Sequence, residues 1–484
     1  MNRGASAGWR ILRGAGLLAA PVAAVVIAGI AAMPPAGAQI AVRNQGYIPY
    51  DDAPIHYRSE NISDPVALLQ RRLDEGKAEL DYADDGEHGY LKSVLEQLDI
   101  PVSSQTLVFS KTSFQYPKIS PQHPRALYFN DDVYIGVVNE GKEVEVVSFD
   151  AQQGAIFYIL HEQKADKPRF ERAELDCTQC HIAAGTRGVP GVLLRSVNPT
   201  ESGTLVTGAR SYITDQETPW SQRWGGWYVT GPLAEKSMAN AVAAADADPK
   251  QPRLAPLPPA TFDAARYLSP NSEDVALLVL AHQTQAHNLI TLVNYRTRIA
   301  LHGFGGDAAV AAPPPLEALP QEAREQIVRP AEQLLRYLLF ADEQPLPELD
   351  GKPVLAQSAF AREFAARGPR DAQGRSLRDF DLHTRIFRHP LSYLVYSEAF
   401  DGLPEPARGY VYTRLLQILA GEDDSGDFDA LSAADRHAIL EILLQTKPGL
   451  PQAWLAYARQ NGLPVAVQPG ARPAKARNGI AATR

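Results

Sequence analysis

The chain has 484 residues, of which 45% are hydrophobic and 21% are charged, and its formal net charge at pH 7 is −9. Nucleic acids and anionic lipid headgroups are negatively charged, so the acidic character of the chain argues against both as partners. The length is sufficient for two domains of ordinary size.

Residues 1–38 have the pattern of a secretory signal peptide. Three arginines within the first 13 residues precede an apolar stretch over residues 15–33, and Ala36-Gly37-Ala38 matches a cleavage site. Removal of this segment takes away three positive charges and no acidic residue, which changes the net charge from −9 to −12. We therefore expect export to the periplasm. An uncleaved N-terminal anchor is the alternative, because the apolar stretch approaches the length of a membrane span; no later segment is predicted to span a membrane.

Two short helices and a strand-rich block are predicted next. The helices cover residues 65–75 and 90–98, and Asp64 is a suitable N-cap for the first. The block that follows is rich in Val, Ile, Tyr and Phe and is divided by turn sequences, which predicts an antiparallel meander with strands at residues 126–130, 133–138, 143–149 and 155–160. Shorter strands are predicted at residues 192–197 and 203–207.

The segment Cys177-Thr178-Gln179-Cys180-His181 follows the predicted meander and contains both cysteines of the chain. This C-x-x-C-H pattern is typical of covalent attachment of a c-type haem. The two thiols add to the vinyl groups of the porphyrin, and the histidine binds the iron from the proximal side. We therefore predict one haem c, held by Cys177, Cys180 and His181.

Two other uses of a C-x-x-C pair are a thioredoxin-like dithiol and half of a zinc site. A dithiol of that kind is followed by a long helix, whereas residues 182–191 have the composition of a loop. A structural zinc site needs two further ligands, and the sequence offers no second C-x-x-C pair and no closely spaced pair of histidines. Haem attachment is thus the favoured interpretation.

The distal side of the iron has several candidate ligands. Met238 is the one methionine that follows the signal peptide, although a lone methionine also serves to fill gaps in a core. His282 is the alternative, although it lies on the apolar stripe of a predicted helix, where a hydrogen-bonded core histidine is the more common finding. An open distal position is a third option, and the remaining histidine candidates are His123, His161, His287 and His302.

The haem environment is predicted from residues near the motif in sequence. Guanidinium groups and indole N–H groups can donate to the haem propionates, and Arg223, Trp224 and Trp227 are the chosen candidates, with Arg187, Arg195, Arg210 and Tyr228 nearby. Pro190 and the glycines around it could place a backbone carbonyl against the second ring nitrogen of His181 and so fix its tautomer.

The second half of the chain is predicted to be helical. Residues 239–259 are rich in Ala, Pro, Asp and Lys, which indicates an exposed linker and a domain boundary at residues 245–246. Apolar residues then recur at helical spacing, which predicts helices at residues 271–299, 320–340, 385–400, 407–419 and 433–446. The expected fold class is α+β: a β-rich haem-binding domain over residues 39–245, a helical domain over residues 246–464, and a disordered tail over residues 465–484.

The chain also resembles a family of large, exported bacterial proteins described as cytochrome-c-domain-containing, with no assigned reaction. The resemblance covers nearly all of the mature chain and runs through the C-x-x-C-H motif and the segments 110–115, 128–134, 189–191, 224–231, 282–285, 340–343, 380–382 and 447–451. It implies haem binding and export, and it implies no substrate. Such proteins are expected to have a His and a Gly around residues 236–240, where this chain reads Lys-Ser-Met-Ala-Asn, so a ligand role for that segment does not follow from the resemblance.

Three hypotheses of function remain at this point. The leading one is a periplasmic monohaem c-type cytochrome that transfers single electrons to an unidentified redox partner protein. The alternative is a haem enzyme of the peroxidase or oxygenase type with an open distal site. The third is a haem-based sensor or an assembly subunit whose helical half is a docking platform. The sequence names no catalytic residue.

Overall fold

The structure is a computed structural model that describes residues 48–465, except for residues 85–87, 247, 249, 251, 259–260, 350–353 and 355–357. The predicted signal peptide and all but the first residue of the predicted tail lie outside the described residues. The described residues from Ile48 to Val465 belong to one compact unit. The predicted domain boundary at residues 245–246 falls between the two strands of a short hairpin and remains a prediction.

A seven-stranded antiparallel sheet dominates the first half. Its strands are β1 (Thr106–Val108), β2 (Arg125–Phe129), β3 (Val133–Val138), β4 (Glu143–Asp150), β5 (Gly154–His161), β6 (Phe170–Arg172) and β9 (Trp227–Tyr228). The spatial order is β6-β5-β4-β3-β2-β1-β9. The separate pair is β7 (Arg195–Ser196) with β8 (Tyr212–Ile213), and a hairpin joins β10 (Ala241–Ala243) to β11 (Leu254–Pro256).

The predicted meander is confirmed, because β2 to β5 lie where the sequence placed them, with ends that differ by one residue at most. Of the two later strand predictions, the one at residues 192–197 is confirmed only for Arg195–Ser196, and the one at residues 203–207 is wrong. Only β7 forms within residues 192–197, and residues 203–207 contribute a single bridge between Pro199 and Leu205. Backbone groups there bond to other loops instead: the Val197 amide donates to the carbonyl of Gly225.

The helices of the described chain are α1 (Pro65–Asp74), α2 (Leu91–Gln97), α3 (Glu174–His181), α4 (Asp274–Ala311), α5 (Gln321–Leu338), α6 (Ala359–Ala366), α7 (Glu398–Asp401), α8 (Glu405–Ala420), α9 (Ala433–Thr446) and α10 (Gln452–Gln460). Asp64 caps α1 as predicted, since its carboxylate accepts hydrogen bonds from the amides of Val66 and Ala67. Most later helices match their predictions, and α3, α6 and α10 were not predicted. The predicted helix at 385–400 is wrong: Pro390 interrupts it, because proline lacks the amide hydrogen, and a 3-10 turn and α7 form instead.

The two faces of the sheet are covered by different elements. On one face, the hydroxyl of Tyr158 on β5 donates to the carboxylate of Asp64 at the start of α1, over 2.8 Å. On the other face, the His287 ring of α4 stacks on Phe149 of β4 with centroids 4.0 Å apart. The α+β fold class is thus confirmed: an antiparallel sheet in the first half and helices in the C-terminal half.

Helix α4 is the central element of the second half. Nearly every residue in its first six turns is buried, and the helix changes direction at Gly305 and Gly306, whose backbone angles are not helical. A helix that is buried on all sides must satisfy its polar side chains within the protein. Among the described residues, none of the helices combines the length and the apolar character that crossing a bilayer requires.

Candidate functional site

Helix α3 carries the C-x-x-C-H motif at its C-terminal end. It follows β6, packs against β5, and ends at His181, because Ile182 leaves the helical conformation. Residues three or four apart in a helix are neighbours on one side, so Cys180 and His181 both lie beside Cys177. Cys177 is half-buried against the core and Cys180 is exposed. Both thiols and the imidazole are therefore presented to one region of the surface.

His181 is oriented by its ring nitrogen Nδ1, which donates to the carbonyl oxygen of Gly191 over 2.8 Å. The amide of Gly191 in turn donates to the His181 carbonyl over 3.0 Å, and the imidazole packs against Phe157 with ring centroids 5.0 Å apart. Burial lowers the pKa of His181, so the ring is neutral at pH 7. With the proton on Nδ1, the lone pair of Nε2 is left for a metal. The carbonyl predicted from the residues around Pro190 is thus in place.

The loop after α3 is fixed by polar side chains of α4. The carboxamide of Asn288 accepts from the Val192 amide over 3.1 Å and donates to the Val192 carbonyl over 2.8 Å. The carboxamide of Gln285 donates to the Gly185 carbonyl and accepts from Nε of Arg187. A Cβ atom on Gly191 would overlap Oδ1 of Asn288, so the loop approaches the helix this closely because residue 191 is glycine.

Met238 lies in an irregular segment before β10. Its sulfur accepts a hydrogen bond from the hydroxyl of Ser196 over 3.8 Å, and its methyl group packs against the backbone at Gly225. The backbone amide of Met238 donates to the carbonyl of Arg223. These contacts attach Met238 to the β7 region, and none of them involves α3.

His282 is fully buried within a cage of aromatic rings. Its Nδ1 and Nε2 atoms lie 2.5 Å from Oε1 of Gln216 and 2.7 Å from Oγ of Ser392. The ring stacks on Tyr337 and Phe340. Burial lowers the pKa of His282 to about 3. In this arrangement both ring nitrogens already have protein partners, so iron ligation by His282 would require at least one of these bonds to be broken.

The three predicted haem-environment residues are integrated into the protein core. Arg223 is buried; its guanidinium donates to the carbonyls of Thr218 and Gln216, and burial lowers its pKa to about 10. The indole of Trp227 donates to the carbonyl of Arg195 over 2.9 Å. Trp224 is fully buried, and its indole N–H has no hydrogen-bond partner among the described residues. Two of the three donors are thus occupied by backbone carbonyls.

The alternatives of a zinc site and a dithiol can be compared with this geometry. In the described part of the chain, no group of three or more His, Cys, Asp and Glu side chains comes together at metal-binding distance. Among the side chains that the structure describes, the two further ligands that a tetrahedral zinc site needs are not assembled beside Cys177 and Cys180. The cysteines lie at the end of α3, and the next segment is a 3-10 turn and a loop, as the sequence predicted.

Two residues near His181 were not found from the sequence. Apart from burial and the Gly191 hydrogen bond, the charges that act on the pKa of His181 are those of Arg125, which lowers it, and Glu145, which raises it. They lie on β2 and β4, far from the motif in sequence. No pattern within either strand signals this, because the two residues share a face only through the pairing of β2 and β4 with β3.

The donor set fits a covalently attached haem. Two thiols lie on one side of a helix, and the adjacent imidazole is neutral. Its Nδ1 proton is hydrogen-bonded, while its Nε2 has no hydrogen-bond partner among the residues that the structure describes.

A comparison of the chain with protein-family models, with curated proteins and with solved structures finds no match. The function must therefore be argued from the residues themselves.

The close approach at Gly191 leads to a stability prediction. In G191A, the new methyl group overlaps Oδ1 of Asn288, so we expect the free energy of unfolding to fall by about 1–3 kcal/mol, the usual cost of overpacking. The measurement is denaturant titration of the purified full chain. The matched control is G303A, because Gly303 is an exposed glycine of α4 with no atom within 4 Å of its Cβ position. It is expected to be neutral or to stabilise by up to about 1 kcal/mol; equal effects of the two variants would contradict the packing at Gly191.

The burial of His282 leads to a pH prediction. The folded state keeps this ring neutral down to a pKa of about 3, whereas the unfolded chain takes up a proton near pH 6.5. The contribution of His282 to stability is therefore complete above pH 6.5 and is lost as the pH falls. In H282Q, we expect the decline of the unfolding free energy between pH 6 and pH 4 to be less steep, by up to about 1.4 kcal/mol per pH unit.

The readout is the slope of unfolding free energy against pH, which is independent of any constant loss of stability in the variant. The control is H383Q, because His383 is exposed in the folded protein. An H282Q slope identical to that of the wild type would show that His282 is not kept neutral by the fold.

Proposed function

We propose that this chain is an exported monohaem c-type cytochrome that transfers single electrons. Cys177 and Cys180 would hold the haem through thioether bonds, and His181 would be the proximal ligand of the iron. The observation that carries the proposal is the hydrogen bond from Nδ1 of His181 to the Gly191 carbonyl. It gives the histidine of a C-x-x-C-H motif the tautomer and orientation that metal-bound histidines use.

Each residue of the site has a defined task in this proposal. When bound, haem c supplies a one-electron iron couple. The Gly191 carbonyl holds the Nδ1 proton of His181 and increases the basicity of Nε2. Phe157 restricts the imidazole on one side, and the burial that lowers the pKa of His181 keeps the ring in the neutral form that a metal requires.

Export and a partner belong to the same proposal. The signal-peptide pattern of residues 1–38 supports export from the cytoplasm to the periplasm. In bacteria, c-type haem is attached outside the cytoplasm, so this location fits the proposed haem attachment. Single-electron transfer requires a donor and an acceptor, so we infer an unidentified redox partner protein. The acidic mature chain is compatible with a basic partner surface.

A second candidate function is favoured by the contacts of the distal candidates. The Met238 sulfur is bonded to Ser196, and both ring nitrogens of His282 are bonded within the core. Because neither side chain is free as it stands, these contacts favour an open distal position, which is the arrangement of haem enzymes of the peroxidase or oxygenase type.

The proposal predicts covalent haem that depends on the two thiols. Expressed in a host that performs c-type cytochrome maturation, the full chain should retain haem after denaturation in acid–acetone, as measured by its pyridine haemochrome spectrum. C177A/C180A should lose all of the covalent haem. The control is T178A/Q179A, which alters the two spacer residues of the same helix and should retain it. A colourless wild-type protein would refute the proposal.

The two candidate functions predict different spectra for the loaded protein. Electron transfer predicts a six-coordinate, low-spin haem that does not bind carbon monoxide when reduced and reacts slowly with peroxide. A high-spin ferric spectrum with rapid peroxide reaction would favour the enzyme instead. The variant M238L identifies the distal ligand: conversion from low spin to high spin would assign that role to Met238, and an unchanged spectrum would exclude it.

A further inference from the structure

Part of the sheet face beside His181 is not covered by helices. Strand alternation puts Phe157 and Ile159 of β5 on the same face as Val147 of β4 and Leu127 of β2. Phe157 is buried against His181, whereas the other three are only half-buried. We call Leu127, Val147 and Ile159 the apolar floor. Its residues lie on β2, β4 and β5, so it extends across four neighbouring strands of the sheet, and Phe157 connects it to the histidine of the motif.

An ion pair lies on this floor. Arg125 and Glu145 share the face with Leu127 and Val147, and the guanidinium of Arg125 contacts the carboxylate of Glu145. The guanidinium lies directly over Gly136, because a Cβ atom there would overlap it. Glu145 is also held by the hydroxyl of Ser113 and the carboxamide of Gln115. The pair is therefore fixed in position over the sheet, with 18% of each side chain exposed.

Arg125 has donor capacity that the protein does not use. Its Nε atom is buried and has no hydrogen-bond partner among the described residues, while one Nη nitrogen is paired with Glu145. A buried N–H group without an acceptor costs free energy. A guanidinium fork is the protein group best matched to a carboxylate or phosphate, because it offers two parallel donors. The unused donor therefore points to an anionic group that belongs beside the floor.

The border of the floor has exposed aromatic side chains and open space. Phe114 and Tyr116 flank Gln115 and are the most exposed large hydrophobic residues of the described chain, at 59% and 56%. Two residues beyond Ile159 along β5, an open groove of about 910 Å³ begins beside His161; charged side chains such as Lys142 and Lys164 line it, and none of the floor residues does. Exposed aromatics next to a half-buried apolar surface indicate that a further apolar group completes this region.

We propose that the haem binds on the apolar floor and that Arg125 is the counter-ion of a haem propionate. Glu145 is the negative charge that is paired with Arg125 beside the haem. This rests on the proposed haem attachment at Cys177, Cys180 and His181. It assigns the haem environment to β2, β4 and β5, and no longer to Arg223 and Trp227, whose donors are used by the backbone.

Charge variants of the loaded full chain test this assignment through the midpoint potential, measured by spectroelectrochemistry. A positive charge near the haem favours the ferrous state, so R125Q should lower the potential and E145Q should raise it. The matched control is R414Q, because Arg414 is a similarly half-buried arginine that is paired with Glu332 and Asp423 on the C-terminal helices. It should leave the potential unchanged.

The outcomes separate this inference from the proposed function. If the wild type carries covalent haem and R125Q shifts its potential no more than R414Q does, the haem position on the floor is wrong and haem attachment stands. If the wild type carries none, the proposed function fails and the haem position fails with it. Should R125Q not fold, E145Q still decides: a rise in potential supports the haem position, and no change overturns it. Opposite shifts from the two variants would not arise from a general loss of structure.

Discussion

The two hydrogen bonds between the carboxamide of Asn288 and the backbone of Val192 are the constraint on which the candidate site depends. They attach the loop after α3 to the buried helix α4. The residue before Val192 is Gly191, whose carbonyl orients the ring of His181. The histidine thus obtains its orientation from a helix that begins almost a hundred residues later. Without this attachment, the motif would retain its thiols and lose the fixed tautomer of its imidazole.

The burial of α4 explains why that attachment is rigid. A carboxamide in a dry interior must satisfy its own hydrogen-bonding groups, and breaking one bond exposes two unpaired partners. Four polar side chains within two turns of this helix each form a hydrogen bond to a loop or strand of the first half: those of Gln283, Gln285, His287 and Asn288. The large helical part of the chain thereby acquires a role: α5 and its neighbours cover α4 and keep water from these bonds.

Local patterns predicted the local structure well. The strands β2 to β5 form where runs of Val, Ile, Tyr and Phe between turn sequences predicted them. The Asp64 cap and the loop after the motif likewise depend on residues within a few positions of one another. The causes of the wrong predictions are local in one case and not in the other. Pro390 ends the apolar pattern that suggested a helix at 385–400, and the two-residue strand β7 is defined by its partners, which no pattern within its own segment reveals.

The proposed haem environment could not be predicted in this way, because proximity in sequence is a poor guide to proximity across a sheet. Arg223, Trp224 and Trp227 follow the motif closely, yet their segment leads into the edge strand β9, where local carbonyls take up two of the three donors. Arg125 and Glu145 precede the motif, and antiparallel pairing of β2, β3 and β4 brings them together over Gly136. Only the register of the sheet determines this, and register is a property of the whole meander.

The C-x-x-C-H motif alone does not account for the arrangement of the site. Helix α3 supplies the thiols and the imidazole, α4 fixes the loop that orients the imidazole, and the sheet supplies the charges of Arg125 and Glu145. A short peptide with the same C-x-x-C-H sequence would have only the first of these three. The orientation of His181 and the charges near it both come from distant parts of the chain. Setting the properties of this site therefore requires a much larger protein than the proposed haem attachment alone would need.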